Sequence, residues 1–213
     1  AFGWLGGAAV GDVDGNGWPD LFVAGYVDLN RRIPTATKGF PNTFEPEPDL
    51  LFLSDGPVEG GRVAFREAAA EVGLEPAGPD YGLGAVFTDL DLDGDLDLYV
   101  AHDTTPNQLY ENRLADDGQF VEQGVPAGVG DEGAGMGVAS GDNDGDGFPD
   151  LVTTNELDER HVVFRNMGGL RFADALAQSG VADFGVGSTG WGTSWLDVDL
   201  DGVVEEAVEQ HRR

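Results

Sequence analysis

Residues 142–150 read DNDGDGFPD: four aspartates in nine residues, two glycines among them, and a proline just before the last acid. Two carboxylates held about 5 Å apart repel by roughly 3 kcal/mol at an effective dielectric near 20. A domain stable by only about 5–15 kcal/mol in total does not carry such crowding idly. Either the run is disordered, or a positive charge belongs in its middle.

Repetition decides between the two. Residues 12–20 are DVDGNGWPD, 89–97 are DLDLDGDLD, and 197–205 are DVDLDGVVE. Aligned with 142–150, they place Asp at position 1, Asp at 3, Asp or Asn at 5, Gly at 6 and an acid at 9. Oxygen on every second residue, with glycine at a sharp turn, is what a hard cation such as Ca²⁺ requires from its six to eight oxygen ligands. The candidate ligands are therefore Asp12, Asp14, Asn16, Trp18 and Asp20 in the first loop, and Asp89, Asp91, Asp93, Asp95 and Asp97 in the second. The third offers Asp142, Asp144, Asp146, Phe148 and Asp150, and the fourth Asp197, Asp199, Asp201, Val203 and Glu205. Position 7 (Trp18, Asp95, Phe148, Val203) is expected to ligate through its backbone carbonyl, which leaves its side chain free to vary.

A helix–loop–helix calcium hand shares positions 1, 3, 5 and 6 but needs a bidentate Glu at position 12. Position 12 is Val23, Val100, Thr153 and Val208 here. After the ninth residue come LFVAG, LYVAH and LVTTN, each of which reads as a buried strand. The unit is thus a loop entering a strand, closed by its own ninth residue.

Larger landmarks recur in step. Gly82-Leu83-Gly84, Gly135-Met136-Gly137 and Gly190-Trp191-Gly192 precede three of the loops, and Leu5-Gly6-Gly7 precedes the first. Short strands LLFLSD (50–55), QLYENR (108–113) and HVVFRN (161–166) come next, each trailed by a phenylalanine (Phe65, Phe120, Phe172) and a closing glycine (Gly73, Gly128, Gly180). A repeat of about 50 residues with four short strands predicts an all-β protein, a β-propeller of four-stranded blades. Residues 1–76 form blade one, 77–129 blade two, 130–182 blade three, and 183–213 part of a fourth with an atypical tail. The ring is expected to be incomplete, with further blades or another domain supplied by a longer parent chain.

Glycines should let the inner strands crowd around an axis, with Leu83, Met136 and Trp191 packing between blades. Residues 28–49, DLNRRIPTATKGFPNTFEPEPD, lengthen blade one; four prolines and few strand formers predict a surface excursion and a candidate contact site.

Composition narrows the function classes. The chain has 213 residues, 40 acids against 11 bases, and a formal charge of −29. Sixteen of those acids lie in the four loops, so the loops explain much of the charge. Such a surface repels nucleic acid and anionic membranes. With no cysteine there is neither a disulfide framework nor a thiolate metal site. No apolar run reaches the roughly 20 residues of a membrane span, so no membrane insertion is expected. The chain begins at Ala1 without an initiator Met or a signal peptide, as a mature or excised piece would.

The pattern resembles the FG-GAP/VCBS repeats of integrin α-subunit propellers, with Phe2-Gly3 ahead of Gly7-Ala8-Ala9 and GDVDGNGWPDL. It is more closely similar to bacterial secreted proteins related to cartilage acidic protein, in which such repeats precede an ASPIC/UnbV domain. The matching stretches are YGLGAVFTDLDLDGDLDLYVAHDTTPNQLYEN (81–112), GAGMGVASGDNDGDGFPDL (133–151) and GWGTSWLDVDLDG (190–202). The resemblance implies a calcium-binding propeller, seven-bladed in many relatives, exported and acting in adhesion or recognition. Two departures stand out: no ASPIC/UnbV part is present, and the fourth blade leaves the pattern after its loop.

Three function classes are open to such a chain. The first is a Ca²⁺-stabilised module, secreted, periplasmic or at the cell surface, that recognises an extracellular protein or glycan. The second is a lectin-like propeller that stacks sugars on exposed aromatics such as Trp4, Trp18 or Trp191, or an accessory domain of a secreted polysaccharide-active enzyme. The third, catalysis, has little to stand on. His102, His161 and His211 show no metal or nucleophile spacing, and His102 and His161 read as loop-flanking residues; no nucleophile elbow or phosphate-cradling loop occurs. No catalytic residue is assigned.

Overall fold

The computed structural model describes residues 3–74, 80–179 and 187–197, together with the backbone of residues 205–211. Among them, fifteen strands and one short helix form four antiparallel sheets.

Blade one contains β1 (Trp4–Gly11), β2 (Asp20–Arg32), β3 (Phe44–Pro46), β4 (Leu50–Pro57) and β5 (Val63–Glu67). Its order is β1-β2-β4-β5, with β3 paired to the far end of β2. Blade two is β6 (Gly82–Thr88), β7 (Asp97–His102), β8 (Gln108–Arg113) and β9 (Gln119–Glu122), in sequence order, followed by the helical turn α1 (Gly124–Ala127). Blade three repeats that plan with β10 (Gly135–Gly141), β11 (Asp150–Asn155), β12 (Val162–Asn166) and β13 (Phe172–Asp174). In the fourth sheet β14 (Thr189–Leu196) pairs with β15 (Glu205–His211).

The strands on either side of each nine-residue loop pair in one register. Gly11 faces Asp20, Thr88 faces Asp97, Gly141 faces Asp150 and Leu196 faces Glu205. Because strand side chains alternate between faces with period two, this shared register puts equivalent residues of every blade on equivalent faces. The recurring phenylalanines fall into line as well: Phe65 faces Ser54, Phe120 faces Asn112 and Phe172 faces Asn166.

The apolar core lies between blades rather than within them. One cluster joins Phe22 and Leu51 of blade one to Leu98, Val100 and Tyr110 of blade two; a second joins Tyr99 and Leu109 to Leu151 and Phe164 of blade three. The innermost strands β1, β6, β10 and β14 stand side by side. Their glycines allow the approach: a Cβ added at Gly84 would lie 3.0 Å from the carbonyl oxygen of Met136, and one at Gly7 would lie 2.7 Å from that of Leu83.

The 28–49 segment is exposed over most of residues 29–40, as expected of a surface excursion, and adds a short strand pairing of its own. β2 runs on to Arg32 and turns back through β3, with Asp28 opposite Glu45 and Arg32 opposite Phe44. Phe40 lies against Trp4 and Tyr26 at ring-centroid distances of 6.0 Å and 5.7 Å, and Phe44 lies against Phe40 at 6.1 Å. These half-exposed ring contacts tie the segment to the inner strands.

Candidate metal centres

Three of the four acidic loops lie within the described residues and share one backbone wiring. The first aspartate accepts from the backbone of positions 5 and 6. Asp12 takes Asn16 N–H at 3.1 Å and Gly17 N–H at 2.8 Å; Asp89 takes Asp93 N–H at 3.2 Å and Gly94 N–H at 3.1 Å. Asp142 does the same for Asp146 N–H at 3.1 Å and Gly147 N–H at 2.9 Å. Position 5 then accepts from position 7, as Trp18 N–H to Asn16 Oδ1, Asp95 N–H to Asp93 Oδ1 and Phe148 N–H to Asp146 Oδ1. The chain therefore wraps around its own carboxylates and aims them inward.

Glycine at position 6 is required by its left-handed conformation, with φ of 87° at Gly17, 104° at Gly94 and 92° at Gly147. Position 4 is left-handed too. Gly15 and Gly145 meet that need, but loop two carries Leu92 there at φ 62°, at a cost of about 1 kcal/mol.

The ninth acid has a second task that its spacing did not announce. Asp20, Asp97 and Asp150 are each 1 % exposed. One oxygen of each accepts from position 2 of its own loop: Val13 N–H at 2.9 Å, Leu90 N–H at 3.0 Å and Asn143 N–H at 3.0 Å. The other accepts from the third strand: Ser54 N–H at 2.8 Å, Asn112 N–H at 2.9 Å and Asn166 N–H at 2.8 Å. Burial raises all three carboxyls against these bonds and pushes Asp97 up to about 7.

Sequence reasoning also missed Asn112 and Asn166. Their amides reach across to the neighbouring blade, donating to Val13 O and Leu90 O at 2.8 Å each. The signal was present, since both strands carry Asn at the place where Phe120 and Phe172 face them.

Ligand-capable oxygens converge as Asp12–Asp14–Asp20, Asp89–Asp91–Asp97 and Asp142–Asp144–Asp146, each set within 4.8 Å. In loop one Asn16, at position 5, also donates its Nδ2 to Asp14 Oδ2 at 3.1 Å and to Ser54 O at 2.9 Å. Loop two is the most charged of the three. Asp91 Oδ1 and Asp95 Oδ1 are buried without a hydrogen-bond partner, and Glu111 shares a small cavity with Asp91. Burial and then the charge of Asp93 raise Asp91; burial and then Asp93's hydrogen bond and charge push Asp95 up to about 6.

In loop three Arg165 enters from β12, with Nε 2.6 Å from Asp144 Oδ2 and Nη2 3.0 Å from Asp146 Oδ2. Asp146 is lowered accordingly, first by the Phe148 N–H and then by Arg165.

At position 7 the Trp18 and Phe148 rings lie over Gly56 and Gly168, where an added Cβ would come within 2.5 Å and 3.2 Å. Trp18 is also separated from the aromatic group that gathers Trp4, Tyr26, Phe40 and Trp191 with Asp103 and Glu156 around a cavity of about 330 Å³ on the inner strands. Leu83 and Met136 line the same cavity, so the middle residues of the glycine triplets face it as well as packing between blades. In the fourth loop Asp199, Asp201 and Val203 lie outside the described residues; only the backbone of Glu205, in β15, is described.

His102 and His161 flank their loops and are both buried. His102 ends β7 at 0 % exposure, and His161 is buried at the entrance to β12. They hold related places. Five residues past each ninth acid a backbone N–H needs an acceptor: Gly25 finds Asp49 Oδ1 at 2.6 Å, His102 finds Asn107 Oδ1 at 2.8 Å, and Asn155 finds His161 Nδ1 at 3.0 Å. Burial lowers His161, which keeps it a neutral acceptor.

Residues 89–153, from the first aspartate of loop two into β11, match the family model described as an FG-GAP-like repeat. No curated protein matches the chain.

Proposed function

We propose that this chain is a Ca²⁺-stabilised, non-catalytic recognition module of the outside of the cell: secreted, periplasmic or surface-borne. In this reading it is a relative of integrin-α-like propellers and of the ASPIC/UnbV-associated repeat proteins. The observation that carries it is loop two. Two buried aspartate oxygens without partners, Asp91 Oδ1 and Asp95 Oδ1, share a nine-residue wrap with Asp89, Asp93 and Asp97, and no basic side chain among the described residues is paired with them. Buried charge of one sign without compensation is costly. A hard divalent cation held by Asp89, Asp91, Asp93 and Asp97, with the carbonyl of Asp95, supplies that compensation. The corresponding ligands in loop one are Asp12, Asp14, Asn16, Asp20 and the carbonyl of Trp18. Those in loop three are Asp142, Asp144, Asp146, Asp150 and the carbonyl of Phe148. The fourth loop joins them by repetition.

The ion's role here is to order the loop, so that binding energy becomes folding energy; a hundredfold excess over Kd contributes about 2.7 kcal/mol per site. Extracellular modules bind Ca²⁺ near 10⁻⁴–10⁻³ M, which suits the millimolar calcium of the outside. A thermal melt of the chain in EDTA and in millimolar Ca²⁺, repeated for Asp91→Asn, tests this. A rise in Tm that the variant diminishes supports the reading; equal melts with and without the ion refute it.

A specific observation keeps a second reading in play. Trp4, Tyr26, Phe40 and Trp191 meet at one cavity with the carboxylates Asp103 and Glu156. Rings to stack on and carboxylates to accept hydrogen bonds from hydroxyls are the equipment of a sugar site. The partner in that case is a glycan, and binding on a glycan array that Trp191→Ala abolishes would establish it.

A further inference from the structure

We propose that Asp49, Asp80 and His102 form a buried site for a first-row transition-metal ion of the Zn²⁺ class, separate from the acidic loops, which staples blade one to blade two. The three residues come from different places in the fold: Asp49 just before β4, Asp80 just before β6, and His102 at the end of β7. All three are buried, and each offers a ligand atom within 4.8 Å of the others.

Proximity of acids is common, but three further observations point to a metal. Asp80 Oδ2 is buried without a hydrogen-bond partner, and Asp80 is 6 % exposed. His102 Nε2 is likewise without a hydrogen bond, although it lies against Asp80 Oδ1 as an ion pair. The other ring nitrogen, Nδ1, is 3.1 Å from the carbonyl oxygen of Pro106, an acceptor only. That contact places the ring proton on Nδ1 and turns the Nε2 lone pair toward the two carboxylates. A backbone carbonyl holding the far ring nitrogen is the usual support of a metal-bound histidine. Asp49 is held in the same manner, its Oδ1 accepting from Gly25 N–H at 2.6 Å. One neutral imidazole and two carboxylates neutralise a divalent charge and suit Zn²⁺ better than the all-oxygen sets that Ca²⁺ selects.

The repeat itself provides an internal control. At the junction of blades two and three, Asn107 stands where Asp49 does, and Asn155 where His102 does. Counted back from the glycine triplets at 82–84 and 135–137, Gly133 replaces Asp80. The space there is closed without charge at those three positions: Asn155 Nδ2 donates to Asp131 Oδ2 at 3.1 Å and to Arg160 O at 2.9 Å. Equivalent backbone positions thus carry two amides and a glycine at one junction and a ligand set at the other, so the folding of a blade does not itself demand the three ligands.

The test is a Zn²⁺ titration of the full chain in saturating Ca²⁺, followed by calorimetry and by metal analysis after gel filtration. The expected result is one tightly held equivalent, a rise in Tm of about 5–10 °C at hundredfold excess, and loss of both in His102→Asn and Asp49→Asn. These variants install the residue types of the neighbouring junction and are checked for fold by circular dichroism. Co²⁺ loaded into the unaltered chain provides a readout that needs no variant: intense visible bands of a low-coordinate ion with a nitrogen ligand support the site, and an octahedral spectrum refutes it. Absence of Zn²⁺ uptake overturns the proposal and leaves a carboxylate–imidazole cluster that shares a proton. Uptake unchanged in both variants overturns it too, by placing the ion in the acidic loops. The Ca²⁺ response of the melt, read before Zn²⁺ is added, judges the calcium reading independently.

Discussion

Blades two and three spell the same nine-residue loop, fold it with the same hydrogen bonds, and differ in what the third strand brings beside it. Next to loop two stands Glu111; next to loop three, at the equivalent place, stands Arg165 with Nε 2.6 Å from Asp144 Oδ2. The alignment rests on Asn112 and Asn166, the residue after each, which donate to the ninth acids Asp97 and Asp150. Loop two keeps buried oxygens without partners, whereas loop three already has a cation of its own. The loop motif defines a cage, and the neighbouring strand decides how strongly the cage needs an ion. Exposed ion pairs such as those of Arg165 contribute only about 0–1 kcal/mol, so the arginine competes with Ca²⁺ without excluding it.

The most damaging way to break the comparison is to remove what the two loops share. Asp97→Ala strands the N–H groups of Leu90 and Asn112 in the interior, and Asp150→Ala does the same to Asn143 and Asn166. Each should cost about 2–5 kcal/mol with or without calcium, read as a fall in urea midpoint at unchanged slope. Exchanging the neighbours sharpens the comparison instead. Arg165→Ala should tighten loop three for Ca²⁺ by about threefold to fivefold and Glu111→Arg should weaken loop two by a similar factor, equivalent to about 0.6–1 kcal/mol each; isothermal titration resolves both.

A third contrast is between Asn107 and His161, which accept the same backbone hydrogen bond. The folded-state pKa of His161 is depressed by burial, so its contribution is complete above the unfolded value near 6.5 and lost as the pH falls through the folded value. Stability should therefore drop below about pH 6.5, and His161→Asn should flatten that limb in a series of melts. The smallest effect concerns the left-handed fourth position. Leu92→Gly should raise stability by about 0.5 kcal/mol and Gly145→Leu should lower it by about 1 kcal/mol, measurable by chemical denaturation.

Much of this molecule was legible as pattern. The short apolar run after each ninth acid marked β2, β7 and β11 as buried strands, and the recurrence of glycine triplets, phenylalanines and closing glycines marked the blade. What escaped was whatever depends on strands meeting. Asp20, Asp97 and Asp150 read as ligands, but their tie to the third strand appears only once β4, β8 and β12 are paired. Glu111 and Arg165 lie outside the motif and reach it through space. Asp49, Asp80 and His102 are 22 and more residues apart in sequence, so no local spacing could announce them. In the 28–49 segment the prolines marked a surface excursion but said nothing of where Phe40 and Phe44 find a surface.

The side-chain amide hydrogen bonds of Asn112 to Val13 O and of Asn166 to Leu90 O run in one direction, from the third strands of blades two and three back to the loop of the blade before. A sheet and its stabilising partner are therefore out of phase by one blade. A gene duplication that copies a single blade reproduces the sheet together with both halves of this latch, one to seize its predecessor and one to be seized. Array growth by whole-blade copying then leaves no join unlatched, whereas an exchange that splits a blade between its loop and its third strand leaves two neighbours mismatched at once. The latch makes the blade the natural quantum of inheritance for this architecture.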